Sequence, residues 1–206
     1  MNKISQIIFE KLDQDLKKKD DVSFIVSGGS SPVQIFKDLS AMETDWSKIN
    51  ISLVDDRVVD KNHNDSNEKL VNDVLIVNNA KDANFISICN QSDELTNLNK
   101  PFNIMLLGMG EDGHFASLFP KLLETNFHLF DVSRKPEIFF TEPMGNPCHK
   151  RVSMNLSMIL QSEIIFLLVS NQKKMEVLNQ ARNNKSLPLY FLLNQDKLNI
   201  EIVKDY

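Results

Sequence analysis

The chain has little glycine: six residues in 206, about half the share expected from a usual frequency of roughly 7%. Five of the six fall in two clusters, Gly28-Gly29 and Gly108/Gly110/Gly113, and only Gly145 stands apart. So sparing a use points to positions where backbone geometry demands glycine. No apolar run approaches the length of a transmembrane helix, which excludes one. The first residues, Met1 to Asp20, alternate charges with Ile4, Ile7, Ile8, Leu12 and Leu16. That is amphipathic helix spacing, without the apolar centre of a signal peptide. Cysteine is limited to Cys89 and Cys148, in neither a CxxC nor a Cys/His ligand spacing, and this reads as two reduced, buried thiols of a cytoplasmic protein. Basic residues fall short of acidic ones, 23 against 28, for a net charge of −5, which argues against a nucleic-acid surface. Arginine is scarce too, so Arg57, Arg134, Arg151 and Arg182 each merit placing.

What is present is the composition of an ordinary globular protein, 42% hydrophobic and 25% charged. Short apolar runs at Val22–Val26, Ile51–Val54, Asn84–Ile88, Phe102–Leu107, Ile138–Thr141, Ile164–Val169 and Asn199–Val203 read as strands. Amphipathic stretches at Val33–Leu39, Asn67–Val77 and Gln172–Ala181 lie between several of them. Phe102–Leu107 is apolar on both faces, as a central parallel strand requires. The rhythm predicts an α/β fold: a single domain over residues 1–206, with a mostly parallel sheet flanked by helices on both faces, Rossmann-like but without a nucleotide. Ligands of such sheets sit at the carboxyl ends of the strands. Both glycine clusters and a polar turn, Asp55-Asp56-Arg57, fall at those ends.

Ser27-Gly28-Gly29-Ser30-Ser31-Pro32 leads from a strand into a helix, with Pro32 suited to the first turn. Free N–H groups and the positive helix end there attract an anion, and Ser30 and Ser31 add hydroxyl donors. The Gly-Lys-Ser/Thr ending of a nucleoside-triphosphate loop is missing. Gly108-Met109-Gly110-Glu111-Asp112-Gly113 matches a dinucleotide fingerprint in letters. Its two carboxylates would meet the pyrophosphate, however, and Pro120 leaves little room for a crossover helix. His114, two residues after Asp112 on this loop, has the setting of a general base: a titratable ring beside a carboxylate that can fix its tautomer. His63 lies in a polar run, His128 in a predicted strand, and His149 beside Lys150 and Arg151, all less favourable settings. Arg57 can hold a phosphate or carboxylate by a two-pronged hydrogen bond, and Asp55 can orient a base or a sugar hydroxyl. A metal site from Asp55, Asp112 and His114 has no ligand spacing to support it.

Together these segments resemble the 6-phosphogluconolactonase family, within the wider group that includes glucosamine-6-phosphate deaminase. The stretch Gly108 to Pro120 is similar to the family's GMGEDGHTASLFP, with Phe115 in place of threonine. Ser27–Pro32 resembles SGGSTP, and Asp55-Asp56-Arg57 with Ser66-Asn67 resembles a D-E-R…S-N segment at the same spacing. Arg151-Val152-Ser153 resembles R-[IV]-T, and Val169 to Leu178 a strand-to-helix segment whose lysine falls on Lys174. Asp56, Asp60, Lys121 and Asn171 depart from the usual glutamate, proline, glycine and glycine. The related deaminases continue after the histidine into an Ala-Phe-Asn-Glu-Pro type of stretch, whereas Ala116-Ser117-Leu118-Phe119-Pro120 is the lactonase form. The resemblance implies hydrolysis of a phosphosugar lactone, with His114 as base and Asp112 or Asp55 orienting it. Gly28, Gly29, Ser30, Ser31, Arg57, Arg151 and Lys174 would hold the phosphate, with Arg57 and Arg151 gathered at one site. The chemistry it implies requires no cofactor or metal, and charge and the lack of long apolar runs already argue against nucleic acid and membrane as partners. The alternatives are a deaminase/isomerase of the same fold and a non-catalytic sugar-phosphate-binding protein.

Overall fold

The computed structural model describes residues 2–89, 95 and 97–204, so Met1 of the predicted N-terminal helix and the last two residues of the predicted domain lie outside it. Helix α1 (Lys3–Leu16) starts at Asn2, whose side chain accepts from the N–H groups of Ile4 and Ser5. It buries Ile4, Ile8 and Leu12, one face at four-residue spacing. Strand β1 (Val22–Val26) is buried at every position, and α2 (Val33–Ser40) follows it. Next come β2 (Ile49–Leu53), β3 (Asp55–Arg57), α3 (Asn67–Val74) and β4 (Asn84–Ile86). Strand β5 (Ile104–Gly108) precedes α4 (Pro120–Thr125), β6 (Ile138–Phe140), β7 (Arg151–Met154) and α5 (Leu156–Ile159). The chain closes with β8 (Ile165–Val169), α6 (Gln172–Ala181), α7 (Leu189–Leu193) and β9 (Ile200–Lys204).

Among the described residues, six strands form a parallel sheet in the order β4-β2-β1-β5-β8-β9. From β1 the chain winds outward through β2 to β4, and from β5 it winds the other way through β8 to β9. Right-handed crossovers running in opposite directions put helices on opposite faces. The reversal leaves a crevice at the carboxyl ends of β1 and β5. The strands β1 and β8 carry no polar face because both of their faces are covered, whereas edge strand β9 is only partly buried.

The fold departs from the sequence expectation in one respect. Asp55-Asp56-Arg57 is not a turn, and Ile138–Phe140 does not join the main sheet: β3, β7 and β6 form a second, antiparallel sheet of three strands. Asp55 pairs with Ser153, and Arg57 with Arg151. Two smaller corrections have local causes. His128 lies in a short 3-10 helix, Phe127–Phe130, not in a strand, because its apolar run forms a turn whose Leu129 and Phe130 are buried. Cys148 is exposed, not buried, while Cys89 is half-buried and its thiol is pushed up to about 12, mainly by desolvation. No helix among the described residues is long and apolar enough to cross a membrane.

Candidate active site

A cleft of about 560 Å³ opens at the crevice between β1 and β5. Each sequence-predicted site residue lines it: Gly28, Gly29, Ser30, Ser31, Asp55, Arg57, Asp112, His114, Arg151 and Lys174. The other two arginines, Arg134 and Arg182, do not appear in its lining.

After β5 the chain makes a tight loop. The N–H of Gly110 donates to the carbonyl of His114 at 2.8 Å, and Met109 bridges to Phe115. No helix begins here, since α4 starts only at Pro120. A dinucleotide fingerprint needs a helix N-terminus directly after its glycines, and this loop does not provide it. The loop instead presents the His114 imidazole to the cleft. Nδ1 of His114 lies 2.5 Å from Oδ1 of Asp112, and the ring stands 4.5 Å from that of Phe119, centroid to centroid. A Cβ on Gly110 would come within 2.2 Å of Cε1 and Nδ1 of the imidazole, so glycine there makes room for the ring. Burial on its own would raise the Asp112 carboxyl. The hydrogen bond and charge of His114 outweigh it and hold the group below the usual carboxylate range. An ionised Asp112 accepts the Nδ1 proton, which leaves Nε2 as the nitrogen able to take one.

Sequence reasoning left open whether Asp112 or Asp55 touches His114; the contact is with Asp112. Asp55 is buried and accepts from the Ser117 hydroxyl at 2.6 Å. It therefore ties the His114 loop to β3.

The guanidinium of Arg57 is anchored through Nη1, which donates to the carbonyl of Asp65 at 2.7 Å and to Oδ1 of Asn67 at 3.0 Å. Its Nε is buried without a hydrogen-bond partner, while the side chain lines the cleft. Asp56 is buried and accepts from the N–H groups of Asn67 and Glu68 and from the Ser66 hydroxyl. It thereby caps α3 beside the arginine. Desolvation raises its carboxyl despite those bonds. Asn67 also donates to the carbonyl of Asp55 at 2.9 Å. A Cβ on Gly28 would strike Asn67 at 2.1 Å. That glycine thus makes room for a neighbouring side chain, a demand the sequence alone did not show.

Arg151 is buried opposite Arg57, and its Nη2 donates to the carbonyl of Pro147 at 2.7 Å. Its guanidinium carbon lies 5.7 Å from the Phe119 ring centroid, a cation–π distance. Desolvation, and then Arg57, push its pKa down, with Asp55 and Asp56 opposing. The two arginines do gather, as expected. On the far side of the cleft Lys174 reaches back to the Ser31 hydroxyl at 3.2 Å. Asn171, which stands at a usual glycine, caps α6 by accepting from the N–H of Lys174, so this departure fixes the lysine's backbone. Burial lowers Lys174, and the nearby Glu111 pushes the other way. Glu111 itself pairs with Lys173 at 2.5 Å. Asn67, Phe119 and Asn146 also line the cleft and were not singled out as site residues. Asn67 was visible only as part of the Ser66-Asn67 pair.

The family model described as glucosamine-6-phosphate isomerases/6-phosphogluconolactonase matches residues 1–200. A 6-phosphogluconolactonase of Helicobacter pylori is 38% identical over 199 residues, which cover 91% of this chain and 85% of that one. One from Neisseria meningitidis serogroup A is 32% identical, covering 97% and 91%. The crystal structure of a 6-phosphogluconolactonase from Shewanella baltica superposes with a TM-score of 0.85 at 29% identity, covering 98% of this chain and 91% of that one.

Proposed function

The chain belongs to the glucosamine-6-phosphate isomerase/6-phosphogluconolactonase family, and from that premise we propose that it hydrolyses 6-phosphoglucono-1,5-lactone to 6-phosphogluconate with His114 as the general base. The observation that carries the reading is the His114–Asp112 pair, fixed at Nδ1 on a loop that faces a cleft flanked by Arg57, Arg151 and Lys174. Nε2 of His114 takes a proton from water as the water oxygen bonds to the lactone carbonyl carbon. The tetrahedral intermediate then collapses by breaking the bond from that carbon to the ring oxygen, which receives the proton from Nε2. General base catalysis contributes typically 10²–10⁴-fold; positioning of the substrate and of its developing negative charge supplies the rest.

In this reading the substrate phosphate is held by Arg57, Arg151 and Lys174, with the Gly28–Ser31 loop adding backbone and hydroxyl donors. Asp55 acts on the base at one remove, through Ser117. An activated ester needs neither metal nor cofactor, and the phosphosugar lactone is the only partner the reaction calls for. We place the reaction in the cytoplasm, where phosphosugars and free thiols coexist. The deciding experiment is a coupled assay with freshly generated lactone, corrected for spontaneous hydrolysis. Turnover above the spontaneous rate supports the assignment. Ammonia release from glucosamine 6-phosphate, or phosphosugar binding without turnover, would replace it.

A further inference from the structure

His149 and Asp65 lie outside the cleft lining, yet the geometry points to them as positioning residues for the two arginines. Nε2 of His149 donates to Oδ2 of Asp65 at 2.8 Å, joining segments 84 positions apart in the chain. Asp65 gives its backbone carbonyl to Nη1 of Arg57 at 2.7 Å. The His149 carbonyl accepts from the N–H of Met144 at 3.0 Å and so closes the 144–149 loop. Two carbonyls of that loop, Met144 and Pro147, accept from Nε and Nη2 of Arg151 at 3.4 and 2.7 Å. One side-chain contact therefore links the two backbone segments that aim the two guanidiniums.

Pairing of β3 with β7 sets the two arginine Cα atoms opposite each other. Where a guanidinium points, at the end of a long flexible side chain, is set by the carbonyls it meets. His63 steadies the clasp: its Nδ1 accepts from the N–H of Asp65 at 3.1 Å, and its ring meets that of His149 edge-on at 5.7 Å. The hydrogen bond from His149 holds the Asp65 carboxyl below its ordinary range, with the charge of Arg57 helping and desolvation opposing. A part-exposed pair of this kind adds little to global stability, so its effect falls on affinity.

This inference rests on the reading that Arg57 and Arg151 hold the substrate phosphate. The test measures steady-state lactone hydrolysis and calorimetric binding of 6-phosphogluconate. For His149→Ala we expect about a three- to tenfold rise in KM and in the product's Kd, with kcat within about twofold and an unfolding temperature near that of the wild type. His149→Gln, whose amide nitrogen can stand in for Nε2, should restore most of the affinity. Asp65→Ala should match His149→Ala, and the double variant should be no worse than either. If both single variants bind the product like the wild type while Arg57→Ala binds it poorly, the clasp is overturned and the phosphate reading stands. If Arg57→Ala also binds normally, the phosphate reading itself fails. A fall in kcat at constant KM would likewise overturn the positioning role.

Discussion

The two sheets divide the site between them. The large parallel sheet carries the base loop after β5, the glycine-serine loop after β1 and Lys174 on α6. The small antiparallel sheet carries Arg57 and Arg151 as directly paired residues. One sheet supplies a titratable ring and a titratable ammonium, and the other supplies two guanidiniums that stay charged at any working pH. In the proposed reaction the proton chemistry thus sits on the large sheet, and permanent charge comes from the small annex beside it. Their junction includes a short hydrogen bond from the Ser117 hydroxyl to Asp55 and another from the Ser117 N–H to the Ser153 hydroxyl, together with the Asn67 contact to Asp55.

Substitutions can break this division in order of expected effect. His114→Ala should lower kcat by about 10²–10⁴-fold and leave calorimetric binding of 6-phosphogluconate within about twofold. A wild-type rate would take the base away from the large sheet. The next contrast is one of stability. Leu106→Ala, in the fully buried middle of β5, should cost about 2–5 kcal/mol in chemical unfolding, whereas Phe140→Ala on β6, 47% exposed, should cost less than about 0.5 kcal/mol. Equal losses would mean that the annex is as much a core as the main sheet.

Arg57→Ala should raise KM about 10-fold or more and change kcat less, since it removes binding but not proton transfer. A fall confined to kcat would erase the distinction between the sheets. The smallest effect separates lysine from arginine by pH. Burial lowers the Lys174 pKa, so its charge is lost at a lower pH than for an ordinary lysine. Product affinity should therefore weaken on the alkaline side, as titration calorimetry across pH would show. Lys174→Arg, which keeps its charge, should flatten that limb. An unchanged limb in the arginine variant would place the titration elsewhere.

The same division explains what could be read from the sequence. Strands of the large sheet are continuous apolar runs, and β1, β5 and β8 were found within about two residues at each end. Helix α6 was found to the residue. The annex strands are three or four residues long, and β3 consists wholly of charged residues. Only β6 was legible, as the apolar run Ile138–Thr141; β3 and β7 depend on pairing with each other across the chain, which local pattern does not show. Gly28 to Ser31, Asp55, Arg57, Asp112 and His114 were legible because the glycine clusters and the strand ends mark them, whereas Arg151 and Lys174 came from the family resemblance alone. The choice between Asp112 and Asp55, the anchoring by Asn67 and the placement of Phe119 depend on contacts across elements. They became visible only in three dimensions.

The pairing that brings the arginines together also sets an order of events during folding. Within the large sheet, Val22 pairs with Ile49 and Ile165 with Ile200, short closures along the chain, while Met105 with Ile165 spans 60 residues and Phe24 with Ile104 spans 80. Asp56 meets Val152 only after the chain has closed a loop of roughly a hundred residues, which costs more entropy and forms later than near-neighbour pairing. A refolding chain should therefore bury its hydrophobic centre before it can grip a phosphate. Recovery of enzymatic turnover then works as a clock for the last, longest-range step of assembly.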